Sequence, residues 1–296
     1  STVALLKLCP DAKLLGLTAT NIRYLDNNRN MAEELFDGHV ASEMTLGEAV
    51  VRGILPAPKY VTTVYQYQKT LAKYQARVDN LRTPGIQDVN QKYLDELRRA
   101  LEQADGLDKV FAHHITNKSG KYIVFCANKE HMDEMVSHVQ EWFAGVNPNV
   151  VVYQAYSDDP NTDKAFADFK TDTGDRLKLL FCIDMLNEGV HVEGISGVIL
   201  FRPTISPIVY KQQIGRALTA GDNATPLILD IVNNFEGLCS ISGLQDEMQE
   251  AVHRLYANGE GDKIITERFE IIEQVHDCRM LFERLQASLS SSWEQY

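Results

Sequence analysis

Residues 122–143 read YIVFCANKEHMDEMVSHVQEWF, and the change of period inside this stretch decides the fold class. Tyr122 to Cys126 is an unbroken apolar run of strand length, whereas Met132, Met135, Val136, Val139, Trp142 and Phe143 recur on one side of a helix. A continuous apolar run fits a strand covered on both faces, and the second pattern fits an amphipathic helix packed on it. Asn128 stands between them at a position suited to capping that helix. The switch repeats downstream. Strand Val150 to Tyr153 precedes a helix around Phe166 and Phe169, and strands Leu177 to Cys182 and Val198 to Phe201 precede a helix from Pro207 to Leu218 and strand Leu227 to Val232. Such alternation predicts a doubly wound parallel sheet with right-handed crossovers and helices on both faces.

Upstream, Leu14-Leu15-Gly16-Leu17 is an apolar run ending at Thr18-Ala19-Thr20-Asn21, which reads as a buried strand delivering hydroxyls to a turn. A short helix follows from Asn30, then the loop Leu55-Pro56-Ala57-Pro58 and a strand from Tyr60 to Tyr65. Tyr67, Leu71, Tyr74, Val78 and Leu81 recur at helical spacing, as do Val89, Tyr93, Leu97, Leu101 and Ala104 beyond the turn Pro84-Gly85. The tail from Leu244 is helical by pattern and ends in the polar run Ser288 to Tyr296, as though cut.

Composition excludes several classes. At 296 residues the chain is long enough for a buried core, and apolar runs of a handful of residues fall short of the ~20 that cross a bilayer. No targeting signal is recognisable at Ser1-Thr2-Val3, and five cysteines without paired spacing fit reduced thiols, so a cytoplasmic protein is expected. The net charge of -12 excludes a uniformly basic nucleic-acid surface. It is unevenly spread: residues 1–109 are balanced, while 110–245 and 246–296 each carry -6. Between Lys59 and Arg82 there are five basic residues and one acid, interleaved with Tyr60, Tyr65, Tyr67 and Tyr74. That composition suits strand binding by stacking and phosphate contact, but core tyrosines under an exposed basic helix face explain it more simply.

In a parallel sheet the working groups gather at the carboxyl ends of strands. Four such ends are informative: Thr18-Ala19-Thr20; Cys126-Ala127-Asn128-Lys129; the loop Asp184 to His191 with Gly189; and Gln212-Gln213-Ile214-Gly215-Arg216 on the helix that opens at Ser206-Pro207. Gln212 and Arg216 are four apart and share a helix face, while Ile214 and Leu218 share another that can face the sheet. A guanidinium held there suits a phosphate, because it offers a fixed fork of donors and a permanent charge. The adjacent His113-His114 has no metal-type spacing with another ligand candidate.

The order Leu15 to Arg23, Tyr122 to Cys126, Asp184 to Gly189 and Gln212 to Leu218 resembles motifs III to VI of superfamily 2 helicases, most closely the branch of type III restriction motors and bacterial DEAD/DEAH-box proteins. The resemblance covers roughly residues 12–235. It implies two RecA-like domains with ATP and magnesium in the cleft between them and a nucleic-acid strand, DNA first and RNA second, across both. Thr18 and Thr20 would couple the γ-phosphate to the strand, and Arg216 with Gln212 would act on the phosphate. Glu188, Gly189, His191 and Gly215 would lie near the nucleotide, and Asn128, Lys129, Ser157, Cys182 and Ile183 near the strand backbone.

The departures are specific. Thr219 stands where motif VI commonly has a second arginine, His191 where motif V often has an acid, Cys182 or Ile183 where that motif has threonine, and Asn21 where proline often follows Thr-Ala-Thr. The sequence has no Gly-x-x-x-x-Gly-Lys-Ser/Thr loop to cradle the β and γ phosphates, and no acidic pair ends a buried strand to hold magnesium. Asp95-Glu96 and Asp133-Glu134 fall within helical patterns as solvated faces.

The expected organisation is therefore the end of a first RecA-like domain over 1–58, a helical connector over 59–109, a second RecA-like domain over 110–245 and a truncated helical segment over 246–296. The expected function is the C-terminal part of an ATP-dependent helicase or translocase, inactive alone and binding no cofactor tightly, with the missing N-terminal domain as its partner and no membrane association. The rivals are a degenerate, non-catalytic RecA-like adaptor for nucleic acid or protein, and an unrelated nucleotide-binding α/β protein.

Overall fold

A computed structural model describes residues 13, 15–18, 22–23, 29–65, 67–157, 159–183, 192–202, 207–218, 225–232, 242–274 and 276–293. The chain forms two compact units, residues 1–45 and 46–296. In the first, β1 (Ile22–Arg23) pairs antiparallel with β2 (Arg29–Asn30) and leads into α1 (Met31–Phe36). The Asn30 side chain caps α1 by accepting from the Ala32 and Glu33 amides at 3.0 and 3.4 Å. Leu15 and Leu17, expected in a buried strand, are 78% and 89% exposed, and residues 15–18 are neither strand nor helix. A buried strand needs neighbours on its ladder, and among the described residues of this unit the only ladder joins β1 to β2.

The second unit opens with α2 (Leu46–Val51) and is built on seven strands: β3 (Lys59–Val64), β4 (Lys121–Phe125), β5 (Val150–Ala155), β6 (Leu177–Cys182), β7 (Ile195–Leu200), β8 (Leu227–Val232) and β9 (Glu270–Glu273). Their order is β5-β6-β4-β7-β8-β3-β9, and every pairing is parallel. The continuous apolar runs are explained by burial on both sides. Ile123 and Phe125 face one core with Leu180, Val198 and Ile228, while Tyr122 and Val124 face the other with Leu179, Phe181 and Ile199.

The first face is covered by α2, by α8 (Thr162–Thr171), by α9 (Pro207–Gly215) and by α10 (Ser242–Ala257); the second by α5 (Leu107–His114), α6 (Lys129–Ser137) and α7 (Val139–Phe143). A separate helical layer joins α3 (Tyr67–Asp79), α4 (Pro84–Gln103) and α11 (His276–Trp293) around Leu71, Tyr74, Leu94, Leu97 and Phe282.

Several elements depart from the expected ones for local reasons. The helix expected through Phe143 breaks at His138, which caps α6 and begins α7. On α4 the buried stripe is Asn90, Leu94, Leu97 and Leu101 rather than one including Val89; the buried Asn90 donates its side-chain amide to the Ile86 carbonyl at 2.8 Å, while its Oδ1 has no partner among the described residues. The tail contains β9 as well as helices, and β3 lies in the sheet between β8 and β9, so the sheet draws strands from both ends of the second unit. Tyr60 and Tyr74 are buried core residues, which is the simpler reading of the Lys59 to Arg82 segment; the Tyr67 side chain lies outside the described residues. Lys178 is 2% exposed within β6, where its ammonium donates to the carbonyls of Ser119 at 2.9 Å, Arg176 at 3.0 Å and Gly174. Three acceptors match its three donors, which is what permits a lysine there.

Candidate functional site

The chain leaves β4 and β7, neighbours in the sheet, toward opposite faces: α6 and α7 pack on one core and α9 on the other. Such a divergence is a topological switch point, and the crevice outside the carboxyl ends of the strands there is where doubly wound folds place ligands.

On the β4 side, the Asn128 side chain accepts from the His131 amide at 2.8 Å, the helix cap expected of it. His131 Nδ1 accepts in turn from the Ala127 amide at 3.1 Å. Lys129 pairs with Asp133 one turn on, and that bond raises its pKa. The same ammonium lies 5.1 Å over the Tyr156 ring, bringing the turn with the exposed Ser157 beside the start of α6. Cys182 is fully buried with Sγ 3.6 Å from the Val124 carbonyl, and its own carbonyl accepts from the Cys126 amide at 2.9 Å. Neither its thiol nor its carbonyl is turned outward. Ile183, half-buried, donates its amide to the Ala155 carbonyl at 3.3 Å.

On the β7 side, α9 buries Tyr210 and Ile214, followed by Ala217 and Leu218, and leaves Gln212, Gly215 and Arg216 half-buried. The helix ends at Gly215, three residues before the expected stop. Arg216, Ala217 and Leu218 continue it as a turn tightened by amide bonds to Gln213 at 3.3 Å, Ile214 at 3.0 Å and Gly215 at 3.1 Å. Burial lowers the Arg216 pKa, while the nearby Cys182 thiol acts in the other direction. A Cβ placed on Gly215 would meet no atom within 4 Å among the described residues, so packing alone does not require glycine there.

The sequence did not single out what anchors α9. The Tyr60 hydroxyl donates to Asp230 on β8, and since its proton is committed there the Tyr210 hydroxyl donates to Tyr60. Removal from water pushes the Asp230 carboxyl up to about 6, against the Tyr60 bond and the charge of Arg279. On the next residue of α9, Lys211 pairs with Glu247 of α10. The one available signal was Asp230 itself, a carboxylate inside the apolar strand Leu-Ile-Leu-Asp-Ile-Val.

Thr18 is exposed and belongs to the first unit, while Thr20, Glu188, Gly189, His191 and Thr219 lie outside the described residues. His114 is buried and contacts Gln274 at 3.0 Å, a packing role. Among the described residues, no group of three or more His, Cys, Asp or Glu side chains could hold a metal ion.

Residues 103–221 match the helicase conserved C-terminal domain family. A 51.5 kDa protein of a Lactococcus phage (isolate 7-9) is 28% identical over 171 residues, which cover 56% of this chain and 36% of the phage protein. The chain thus spans little more than a third of that relative. Among solved structures, a fragment of a putative HsdR subunit of a type I restriction enzyme from Vibrio vulnificus matches with a TM-score of 0.52 at 20% identity, over 92% of this chain and 46% of that one. This likeness shows the fold, a RecA-like parallel sheet. The ATP-dependent type ISP restriction-modification enzyme LlaBIII bound to DNA matches at 0.43 and 17% identity, over 89% of this chain and 19% of that chain. Dbp5 of S. cerevisiae, bound to RNA and ADP BeF3, matches at 0.46 and 14% identity, over 90% of this chain and 53% of that one.

Proposed function

We propose that this chain, whose residues 103–221 match the helicase conserved C-terminal domain family, supplies the arginine-bearing wall of an ATP cleft in a nucleic-acid motor. The opposing wall, with the phosphate loop and the magnesium ligands, comes from another RecA-like domain of the intact protein. The carrying observation is the placement of α9: Tyr210 and Ile214 are buried in the core against the sheet, while Gln212, Gly215 and Arg216 are left half-buried. Asn128, Lys129, Ser157 and the backbone after Cys182 would form part of the strand-binding surface, for DNA in the first instance and RNA in the second.

The residues fit ATP more readily than magnesium. Arg216 is partly removed from water, which strengthens its attraction for an anion, and no described residue comes within 4 Å of a side chain's place on Gly215. No acidic cluster for magnesium stands among the described residues. Arg216 would hold the γ-phosphoryl oxygens through its donor fork and offset charge developing on them, with Gln212 orienting it or the attacking water. ATP supplies the free energy of the cycle, and this chain's part is to bind and orient. No described helix is long and apolar enough to cross a membrane; the five cysteines without paired spacing support a cytoplasmic location.

The adaptor reading rests on Thr219 and His191, which depart from the motor pattern. One experiment separates the two: join the chain to the preceding part of its reading frame and measure ATP hydrolysis with and without single-stranded DNA. The motor reading expects strand-stimulated hydrolysis that Arg216→Ala lowers by ~10³-fold or more, and none from the 296-residue chain alone. Hydrolysis unaffected by Arg216→Ala would sink the arginine assignment, and no hydrolysis at all would favour the adaptor.

A further inference from the structure

The polar contacts of α9 and α10 continue past the site. Glu247 pairs through Oε1 with Lys211, the neighbour of Gln212, and through Oε2 accepts the Gly47 amide at 3.1 Å. Gly47 lies in α2, the first element of the second unit, joined to the first unit through Thr45. Its approach to α10 leaves no room for a side chain: a Cβ would lie 2.5 Å from Glu247 Cβ and 2.7 Å from the Met248 amide nitrogen. One further ion pair joins the same helices: Glu48, 6% exposed, pairs with Arg254 on α10, and Arg52, one turn on from Glu48, also pairs with it at 3.4 Å.

Glu247 therefore bonds at once to the entry of the second unit and to the helix that carries Arg216. Both of its carboxylate oxygens are used, one per partner, so Glu247 adds a polar link between α2 and α9 to the core that Val50, Val51, Tyr210 and Ile214 share. We propose that Glu247 is a positioning residue that transmits the state of the first unit, through α2 and Lys211, to Gln212 and Arg216. The inference rests on the motor reading above. It assigns to Glu247 no contact with ATP or strand; its effect is to make the arginine's placement depend on the linker.

The test uses the intact protein, with hydrolysis measured with and without saturating single-stranded DNA. Glu247→Ala and Lys211→Met are each expected to cut strand stimulation by about fivefold or more while leaving the strand-free rate as in wild type. The paired exchange Lys211→Glu with Glu247→Lys restores attraction between α9 and α10. It nevertheless presents an ammonium, a donor, to the Gly47 amide, also a donor, and is expected to leave stimulation low. Rescue by the exchange would overturn the proposal, because α2 would then play no part. A proportionate fall of both rates would also overturn it, as the mark of a merely structural contact, and so would wild-type stimulation in either single variant. Arg216→Ala, run alongside, keeps the two claims apart. An unchanged rate there strikes at the motor reading, whereas a lost rate there with full stimulation in Glu247→Ala strikes at the relay alone.

Discussion

The two helices that flank the crevice are held in opposite ways. The start of α6 is secured within its own turn: Asn128 to the His131 amide, His131 to the Ala127 amide, Lys129 to Asp133. The helix α9 is secured by residues far away in sequence, Tyr210 by Tyr60 and Asp230, Lys211 by Glu247. A locally capped helix end draws its polar contacts from its own turn. One anchored from elsewhere keeps its geometry only while the distant elements keep theirs.

That contrast can be broken most severely at the packing of α9. Ile214 is fully buried against the sheet, and Ile214→Ala is expected to lower the unfolding free energy of the chain by about 2–5 kcal/mol in denaturant titration. A loss below ~1 kcal/mol would mean that α9 is not locked to the sheet. Next comes the anchor itself. Tyr60→Phe leaves Asp230 without its donor and Tyr210 without its acceptor, and should cost about 1–3 kcal/mol although only one oxygen is removed. An unchanged transition midpoint would show that the hydroxyl row contributes nothing.

The same anchor gives α9 a pH dependence. Asp230 is raised to about 6, so between about pH 4 and 6 the folded chain keeps a proton that the unfolded chain releases. Stability contributed by this group is full below that window, falls as pH rises through it, and is level above it. His114 works in the opposite sense: burial lowers its pKa, and stability is lost as pH falls through the unfolded histidine range near ~6.5. Subtracting the stability profile of Asp230→Asn from that of wild type isolates the carboxyl. The difference should change by up to ~3 kcal/mol across the window, and a flat difference would place Asp230 in contact with water.

How much of this was legible follows from the same contrast. The strands β4, β6 and β8 were readable because burial on both faces demands continuous apolar runs, and the Asn128 cap because its partner is three residues away. The burial of Ile214 and Leu218 followed from helix periodicity. By contrast, β9 was missed because Glu270-Ile271-Ile272-Glu273 is a short edge strand with a carboxylate at each end, indistinguishable in pattern from the helices around it. Lys178 inside β6 shows the limit in another way: three carbonyls from two loops make its burial possible, and no local pattern announces them. The Glu247 bridge belongs to this class, since its partners Gly47 and Lys211 come from elements that meet only in the finished fold.

The smallest expected effect lies at the α6 end, where stability and binding can be separated. Asn128→Ala removes the acceptor for the His131 amide and should cost ~1 kcal/mol. Asn128→Asp keeps that acceptor and adds a negative charge at a helix N-terminus, so stability should match or slightly exceed wild type. Lys129→Met removes an exposed ion pair and should leave the melting temperature unchanged. If this end of α6 meets strand phosphates, both Asn128→Asp and Lys129→Met should weaken strand binding in the intact protein. Lys129→Met should also reduce the salt dependence by about one phosphate contact. Asn128→Asp is the sharper of the two, because it leaves the cap in place and sets a carboxylate where the phosphate would come. Undiminished strand affinity in that variant would confine Asn128 to its role as a cap, and the strand-binding surface would have to be sought on the α9 side of the crevice.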